Sequence, residues 1–289
     1  MSTNNNLTIG AVLAKTIPFL AERGLPSPRL EADLMLAEVL DLPRVKLYSE
    51  WDRPLEPAEL QRYREIILKR AQGWPLAYLT GKKAFLSWEF AVSPAVLIPR
   101  PETELLVEAA VDAMKGKSSV TGVDVGTGSG VIAVALAKLL SESSWQAVDL
   151  SEPALAIARA NAERHGVADR IVFQVGDLLE SVRGMRFDLI VSNPPYIPSA
   201  VIPTLQKELG KEPVLALDGG SDGLDVYRRL LPEAVRLLNP GGWVAVEHGH
   251  DQREPLQAMF REAGLEPRPI QDLAGMDRIL LGHKADPHA

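Results

Sequence analysis

Apolar residues recur at helical spacing along residues 7–70 and then change rhythm. LTIGAVLAKTIPFLAERG keeps one apolar stripe and stops at Gly24. SPRLEADLMLAEVLDL opens on Ser27 as a capping residue, with Pro28 in the first turn and Glu31 close behind. EPAELQRYREIILKRAQG places acids first and Lys69 and Arg70 last, the order that favours the helix dipole. These segments predict a small helical domain over 1–83. AFLSWEFAVSPAVLI is then rich in aromatic and β-branched residues. It predicts two strands with a turn near Ser93 and Pro94, a hairpin linker over 84–100.

From 101 onward the pattern alternates. SVTGVDV, WQAVDL, RIVFQVGD and FDLIVSN read as strands, and GVIAVALAKLLSES and EPALAIARANAERHG as helices between them. The strands are apolar almost throughout, which implies burial on both faces. Such alternation predicts a parallel, doubly wound α/β sheet over 101–289. The tail offers a helix near Asp225–Leu238 and the strands GGWVAVEHG and DRILLGH, expected as an antiparallel hairpin closing one sheet edge.

Composition narrows the function classes. A chain of 289 residues suits two domains. It has no cysteine, which excludes disulfides, thiolate metal sites and a cysteine nucleophile, and fits a reducing compartment. No apolar run is long enough to span a membrane, and the start, MSTNNNLTIG, lacks a basic and apolar signal segment. A cytoplasmic, monomeric protein is the expectation. Low complexity is confined to Asn4–Asn6. The net charge of −7 is uneven: residues 1–85 hold 12 Lys/Arg against 10 Asp/Glu, the remainder 19 against 28. The larger part lacks the basic footprint of a nucleic-acid binder.

Candidate chemistry begins at VDVGTGSGVIAVAL. Gly126, Gly128 and Gly130, with Thr127 and Ser129 between them, form a loop from strand to helix. Glycine there allows positive φ and close backbone approach, and the following helix aims free N–H groups at a negative ligand group. Asp149 ends the next strand, where a carboxylate can accept from both hydroxyls of a ribose. Val131 stands where a dinucleotide fingerprint wants its last small residue, which leans away from an NAD oxidoreductase. The string resembles the first motif of S-adenosylmethionine-dependent methyltransferases with a Rossmann-like fold, in which Asp124 is the usual acidic partner. The resemblance implies that the loop borders the methionine portion of S-adenosylmethionine (S-adenosylhomocysteine after transfer) and Asp149 its ribose. It also implies that Asp177 and Leu178 lie beside the adenine. Asp177 reads almost as readily as a helix cap.

FDLIVSNPPYI sets Asn193 at the carboxyl end of the fourth strand, where open α/β sheets bind ligands. Pro194 and Pro195 have fixed φ and no N–H, so neighbouring carbonyls are held rigid for an outside donor. The Asn193 oxygen and a backbone carbonyl, expected to be that of Pro194, can each take one hydrogen of a planar –NH2 group. That would steer the nitrogen's remaining lobe toward a methyl donor, and the proton can leave after transfer without a general base. Tyr196 is expected to stack on the planar acceptor. Asn193, Pro194 and Tyr196 are thus the catalytic candidates, with Pro195 beside them in the substrate subsite.

LIPRPETELLVE, NPPYI, KEPVLALDGGSDGLDVYR and AVDLSEPALAIARANAERHG together resemble the bacterial release-factor glutamine N5-methyltransferases over most of the chain. The resemblance implies a small N-terminal substrate-binding domain and a Rossmann-like catalytic domain joined by the hairpin. It implies a target glutamine in the Gly-Gly-Gln tip of peptide chain release factors. The alternative acceptor is an adenine or guanine amino group in nucleic acid. Several features take plainer readings. Arg100, Glu102 and Glu104, between Pro99, Pro101 and the helix, serve a capped helix start or line the cleft. DGGSDGLD reads as a turn before a helix. Glu247, His248 and His250 read as a solvated loop and not a metal site, for want of a third ligand. Arg62, Arg64, Lys69, Arg70, Lys82 and Lys83 read as a solvated face that can also dock a protein.

Overall fold

The structure is a computed structural model that describes residues 7–286, so the Asn4–Asn6 tail lies outside the described residues. The chain divides into two units: residues up to Gly81 with Gln206–Lys211, and Lys82–Leu205 with the remainder from Glu212.

The first unit holds α1 (Ile9–Ala21), α2 (Pro28–Leu40), α3 (Arg44–Ser49), α4 (Pro57–Ala71) and α5 (Leu76–Thr80). Ile9, Leu13, Met35, Leu36, Leu47 and Tyr63 are buried in its core. The Thr8 hydroxyl caps α1 by accepting the Ala11 N–H at 3.2 Å. Ser27 precedes α2 as expected, but its side chain makes no capping bond; its carbonyl accepts the Glu31 N–H instead. Arg70 departs from the solvated face. It is buried and forms a two-pronged pair with buried Glu31, at 2.5 and 3.2 Å, while Nη1 donates to Glu208 at 2.7 Å. A guanidinium can lose its water there because three carboxylate oxygens replace it.

The second unit opens with β1 (Lys82–Phe85) and β2 (Trp88–Ala91), an antiparallel pair. Its turn falls at Leu86 and Ser87, not near Ser93 and Pro94, and Leu86 takes a φ of 51° that usually selects glycine. Phe85 and Phe90 pack into the second unit's core, so the hairpin is part of that unit's packing and not a detached linker.

There follow α6 (Pro101–Ala113), β3 (Val120–Val125), α7 (Val131–Leu139), β4 (Ser143–Asp149), α8 (Glu152–Arg164), β5 (Ile171–Val175) and β6 (Phe187–Ser192). Then come α9 (Asp225–Leu237), β7 (Leu238–Glu247), α10 (Arg253–Glu262), β8 (Glu266–Gln271) and β9 (Asp277–His283). The sheet order is β5-β4-β3-β6-β7-β9-β8. The first five strands are parallel; β9 runs antiparallel to β7, and β8 to β9. The expected doubly wound α/β sheet is present, with one correction at its edge. β7 and β9 do pair, but α10 and β8 intervene in sequence, and β8 forms the edge. Pro267 and Pro269 argue against a strand in sequence, yet a sheet edge tolerates them.

The order reverses between β3 and β6. The chain builds outward through β4 and β5, then returns to lay β6 on the other side of β3. Val125 and Ser192 are register partners at that switch point, and the Ser192 hydroxyl donates to the Val125 carbonyl at 2.7 Å. The loops leaving β3 and β6 therefore start side by side, at the sheet end where such folds bind ligands. Among the described residues no helix is long and apolar enough to cross a membrane.

Candidate active site

A cavity of about 350 Å³ opens at this switch point. It is in the size range of small-molecule sites. The glycine loop forms one wall. Gly126, Gly128 and Gly130 have φ of 72°, 56° and 80°, the left-handed region predicted for them. Gly126, Thr127, Gly128 and Ser129 line the cavity; Gly130 does not. A Cβ on Gly130 would lie 2.9 Å from the Ala158 Cβ, so this glycine serves helix packing and not ligand approach. A Cβ on Gly126 would meet no atom of the described residues within 4 Å and would stand in open space beside the cavity.

Asp124 holds the loop from beneath. It is fully buried, and its Oδ2 accepts from the Thr127 hydroxyl at 2.7 Å and the Ala133 N–H at 3.2 Å. Its Oδ1 has no hydrogen-bond partner among the described residues. Burial pushes its pKa up to about 7, against those two hydrogen bonds and with a smaller push from the Asp149 charge. Asp149 holds the loop from the side: Oδ2 accepts the Gly128 N–H at 2.8 Å and Oδ1 the Ser151 N–H at 2.9 Å. Each carboxylate oxygen keeps a second lone pair. Asn161, which the sequence reading did not single out, ties loop to hairpin. Its Nδ2 donates to the Ser129 and Ala91 carbonyls, and its Oδ1 accepts the Ala91 N–H.

Asp177 and Leu178 line the far end, with Leu178 at a φ of 52°. The Asp177 side chain caps no helix; it accepts from Arg229 Nη2 at 2.6 Å, and Arg229 also lines the cavity. Glycine-backed walls, a pinned carboxylate and an apolar end with a carboxylate at its rim fit S-adenosylmethionine.

Asn193, Pro194 and Pro195 form the wall leaving β6. Asn193 Nδ2 donates to Thr103 Oγ1 at 3.1 Å, while its Oδ1 has no partner among the described residues. No described backbone N–H reaches the Pro194 carbonyl either. Two acceptors are left open beside the cavity. Thr103, in the first turn of α6, lines it too and donates to Glu247 Oε2 at 2.7 Å. Glu247 and His248 are buried, which corrects the solvated-loop reading; only His250 of that group is exposed. The Glu247 pKa is pushed up to about 7 by burial, opposed by the Thr103 hydrogen bond, with the Glu102 charge adding to the rise. Among the described residues no group of acids and histidines can hold a metal ion.

Tyr196 is not brought to the cavity wall. Its ring packs with the core cluster beneath β6 and β7, and its hydroxyl donates to Glu247 Oε1 at 3.4 Å. Burial, then the Glu247 charge, raises its pKa. A stacking platform needs an open ring face, so the geometry favours an anchor that fixes the loop. Arg100 also turns inward: it pairs with buried Glu212 at 2.5 Å, and Glu212 accepts the Ile98 N–H at 3.0 Å. Glu104 accepts the Leu86 N–H at 2.6 Å and so secures the hairpin turn.

Comparison with known proteins matches two family models: the PrmC N-terminal domain over residues 11–81 and the methyltransferase small domain over 101–212. A release factor glutamine methyltransferase of Moorella thermoacetica is 43% identical over 282 residues, covering 97% of this chain and 100% of its own. One of Geobacter sulfurreducens is 46% identical over 277 residues, covering 95% and 96%. A methyltransferase structure from Pyrococcus furiosus shares the fold at a TM-score of 0.54 and 20% identity, over 77% of this chain and 98% of its own.

Proposed function

This chain belongs to the release factor glutamine methyltransferase family, and on that premise we propose that it methylates the side-chain amide nitrogen of the glutamine in the Gly-Gly-Gln tip of release factors. The nucleic-acid acceptor is set aside, because relatives at this identity are named for a protein glutamine. S-adenosylmethionine, when bound, supplies a methyl group made electrophilic by its sulfonium.

The chain's own residues hold and orient. The Asp149 carboxylate would accept ribose hydroxyls, the 126–129 loop would border the cofactor with its backbone, and Asp177 with Leu178 would lie beside the adenine. The observation that carries the acceptor reading is the pair of open acceptors at β6: Asn193 Oδ1, whose partner nitrogen is committed to Thr103, and the Pro194 carbonyl. A primary amide has two N–H donors and a delocalised lone pair. Holding both hydrogens fixes the plane of the group and turns one face of the nitrogen toward the cofactor. As the N–C bond forms at the expense of the methyl–sulfur bond, whose electron pair stays on sulfur, the nitrogen gains positive charge and both hydrogen bonds strengthen. Bonds to charged groups are worth about 1.5–3 kcal/mol against about 1 for neutral ones, so two can contribute about one to three powers of ten. Orientation adds to this. The surplus proton leaves the nitrogen for water after transfer.

Mass spectrometry of the release-factor tip peptide, with and without the enzyme and S-adenosylmethionine, tests the assignment. One added methyl on the glutamine is expected. Methyl label appearing only on nucleic acid would overturn it.

A further inference from the structure

Three elements that are distant in sequence converge behind Asn193: the first turn of α6 at Thr103, the end of β7 at Glu247 and the end of β6 at Asn193 itself. Thr103 and Glu247 are buried, at 3% and 1% exposure, so water does not compete for their hydrogen bonds. We infer that Thr103 and Glu247 are positioning residues that lock the Asn193 amide with its oxygen toward the acceptor nitrogen. The inference rests on the assignment of Asn193 Oδ1 as an acceptor-holding group.

The reason lies in the count of hydrogens. A threonine hydroxyl has one hydrogen to give. Thr103 gives it to Glu247 Oε2 at 2.7 Å, and the lone pairs of Oγ1 then face Asn193 Nδ2 at 3.1 Å. An asparagine amide is nearly symmetric in shape, and sterics alone do not choose between its two orientations. Hydrogen bonding does. Turned by half a rotation, Asn193 would set Oδ1 against the Thr103 oxygen, two acceptors with no hydrogen between them. It would also present its –NH2 to the cavity, where a substrate amide has hydrogens to give and needs an acceptor. The direction of the Glu247 bond therefore sets the direction of the next one.

The relay depends on Glu247 being an acceptor. Tyr196 donates to Oε1 at 3.4 Å, which favours the ionised acceptor, while burial works against it; the Tyr227 hydroxyl, donating to the Glu247 backbone carbonyl at 2.6 Å, fixes the strand end. The charged groups acting on it are Glu102 on α6 and Arg278 on β9. The adjacent His248 ring is turned away, with Nδ1 on the Gly249 carbonyl. Once protonated, Glu247 can donate to Thr103 and release the Thr103 hydrogen toward position 193. The flipped amide then becomes compatible with the network. The buried carboxyl titrates at about 7, so this reversal falls in an accessible range.

The test uses the full chain with three variants. Thr103→Val keeps the shape without the hydroxyl, Thr103→Ser restores it, and Glu247→Gln removes the titration. Single-turnover transfer to a release factor is read across pH, with S-adenosylhomocysteine affinity as control. The loss of one oriented bond predicts a roughly tenfold to hundredfold slower rate for Thr103→Val, with cofactor affinity held and Thr103→Ser recovering most of the rate. The wild-type rate falls as pH drops below about 7, and Glu247→Gln lacks that limb. Thr103→Val with the wild-type rate and pH limb would overturn the inference; so would loss of cofactor affinity in step with the rate. A second readout needs no acceptor. The Asn193 side-chain amide protons, followed by NMR, shift with the Glu247 titration in wild type and not in Glu247→Gln or Thr103→Val. If the wild-type enzyme leaves release factor unmethylated while this coupling is present, the acceptor assignment falls and the relay stands. Absence of the coupling overturns the relay itself.

Discussion

Asp149 Oδ2 accepts the Gly128 N–H at 2.8 Å, so the acid that ends β4 fixes the loop that leaves β3. One side chain thus does two things. It sets the loop's shape, and it lines the cavity, where the proposed function gives its remaining lone pairs to a ribose. Asp149→Ala removes both. Two charge-assisted bonds at about 1.5–3 kcal/mol each predict a loss of at least about a hundredfold in S-adenosylhomocysteine affinity. Isothermal titration calorimetry measures it; wild-type affinity in the variant would remove Asp149 from the cofactor site.

Asn193→Ala makes the opposite split. The side chain lines the cavity where β6 ends, bonded to Thr103 and to no part of the glycine loop. Cofactor affinity is therefore expected to change little. Transfer is expected to fall by at least about a hundredfold, from loss of one bond that strengthens in the transition state and of the orientation it imposes. Single-turnover labelling of the release factor reads this directly. Full activity in Asn193→Ala would refute the mechanism.

Two of the loop glycines, Gly130 and Gly128, predict different phenotypes. A methyl at Gly130 would meet the Ala158 Cβ at 2.9 Å and Cα at 3.1 Å, on a φ of 80°. Overpacking and left-handed strain together predict destabilisation by about 2–4 kcal/mol for Gly130→Ala. At Gly128 the nearest atom is 4.0 Å away. Gly128→Ala therefore carries only the conformational cost, about 1–2 kcal/mol, and its main effect is expected on cofactor affinity. Urea unfolding beside cofactor titration separates the two. Equal stability losses would contradict the packing role given to Gly130.

What the sequence made legible was whatever a residue type enforces by itself. The 126–130 loop could be read because only glycine takes its φ values without strain. Asn193 could be placed because the chain before it is a buried strand and the chain after it is two prolines. What stayed hidden depends on approach in three dimensions. Thr103 and Glu247 are 144 positions apart and meet only when α6 packs beside β7. Glu247 and His248 look solvated beside Gly249 and His250, yet the end of β7 is covered. The hairpin turn went unread because a leucine, not a glycine, takes its positive φ at Leu86. β8 was hidden by Pro267 and Pro269, whose missing N–H groups count against a strand unless its outer side has no partner. Tyr196 had been expected at the cavity, but a phenol next to a buried carboxylate turns inward to meet it.

Burial of acids gives the pH dependence of folding a definite sign. Asp124 ordinarily titrates at 3.8 and is pushed up to about 7, chiefly by burial, against hydrogen bonds from Thr127 and Ala133. Glu247 moves from 4.5 to about 7 for the same leading reason. In both cases the folded state holds its proton where the unfolded state has lost it. The stabilising contribution is then fully present below about pH 4 and is lost as pH rises through about 7. Asp188 acts in the other direction: burial is outweighed by bonds from Lys117, Thr121 and Asn239, and its pKa is lowered to about 2. Its contribution is present above 3.8 and lost as pH falls toward 2. The cofactor-free protein should therefore be more resistant to urea at about pH 5.5 than at about pH 8. In Asp124→Asn the amide oxygen can still accept from Thr127 and Ala133, and no charge is buried. This variant is expected to lose part of the difference between the two pH values, and Glu247→Gln another part. A wild-type protein that gains stability from pH 5.5 to 8, or an Asp124→Asn variant with an unchanged slope, would show that the buried acid at the base of the glycine loop is not what sets it.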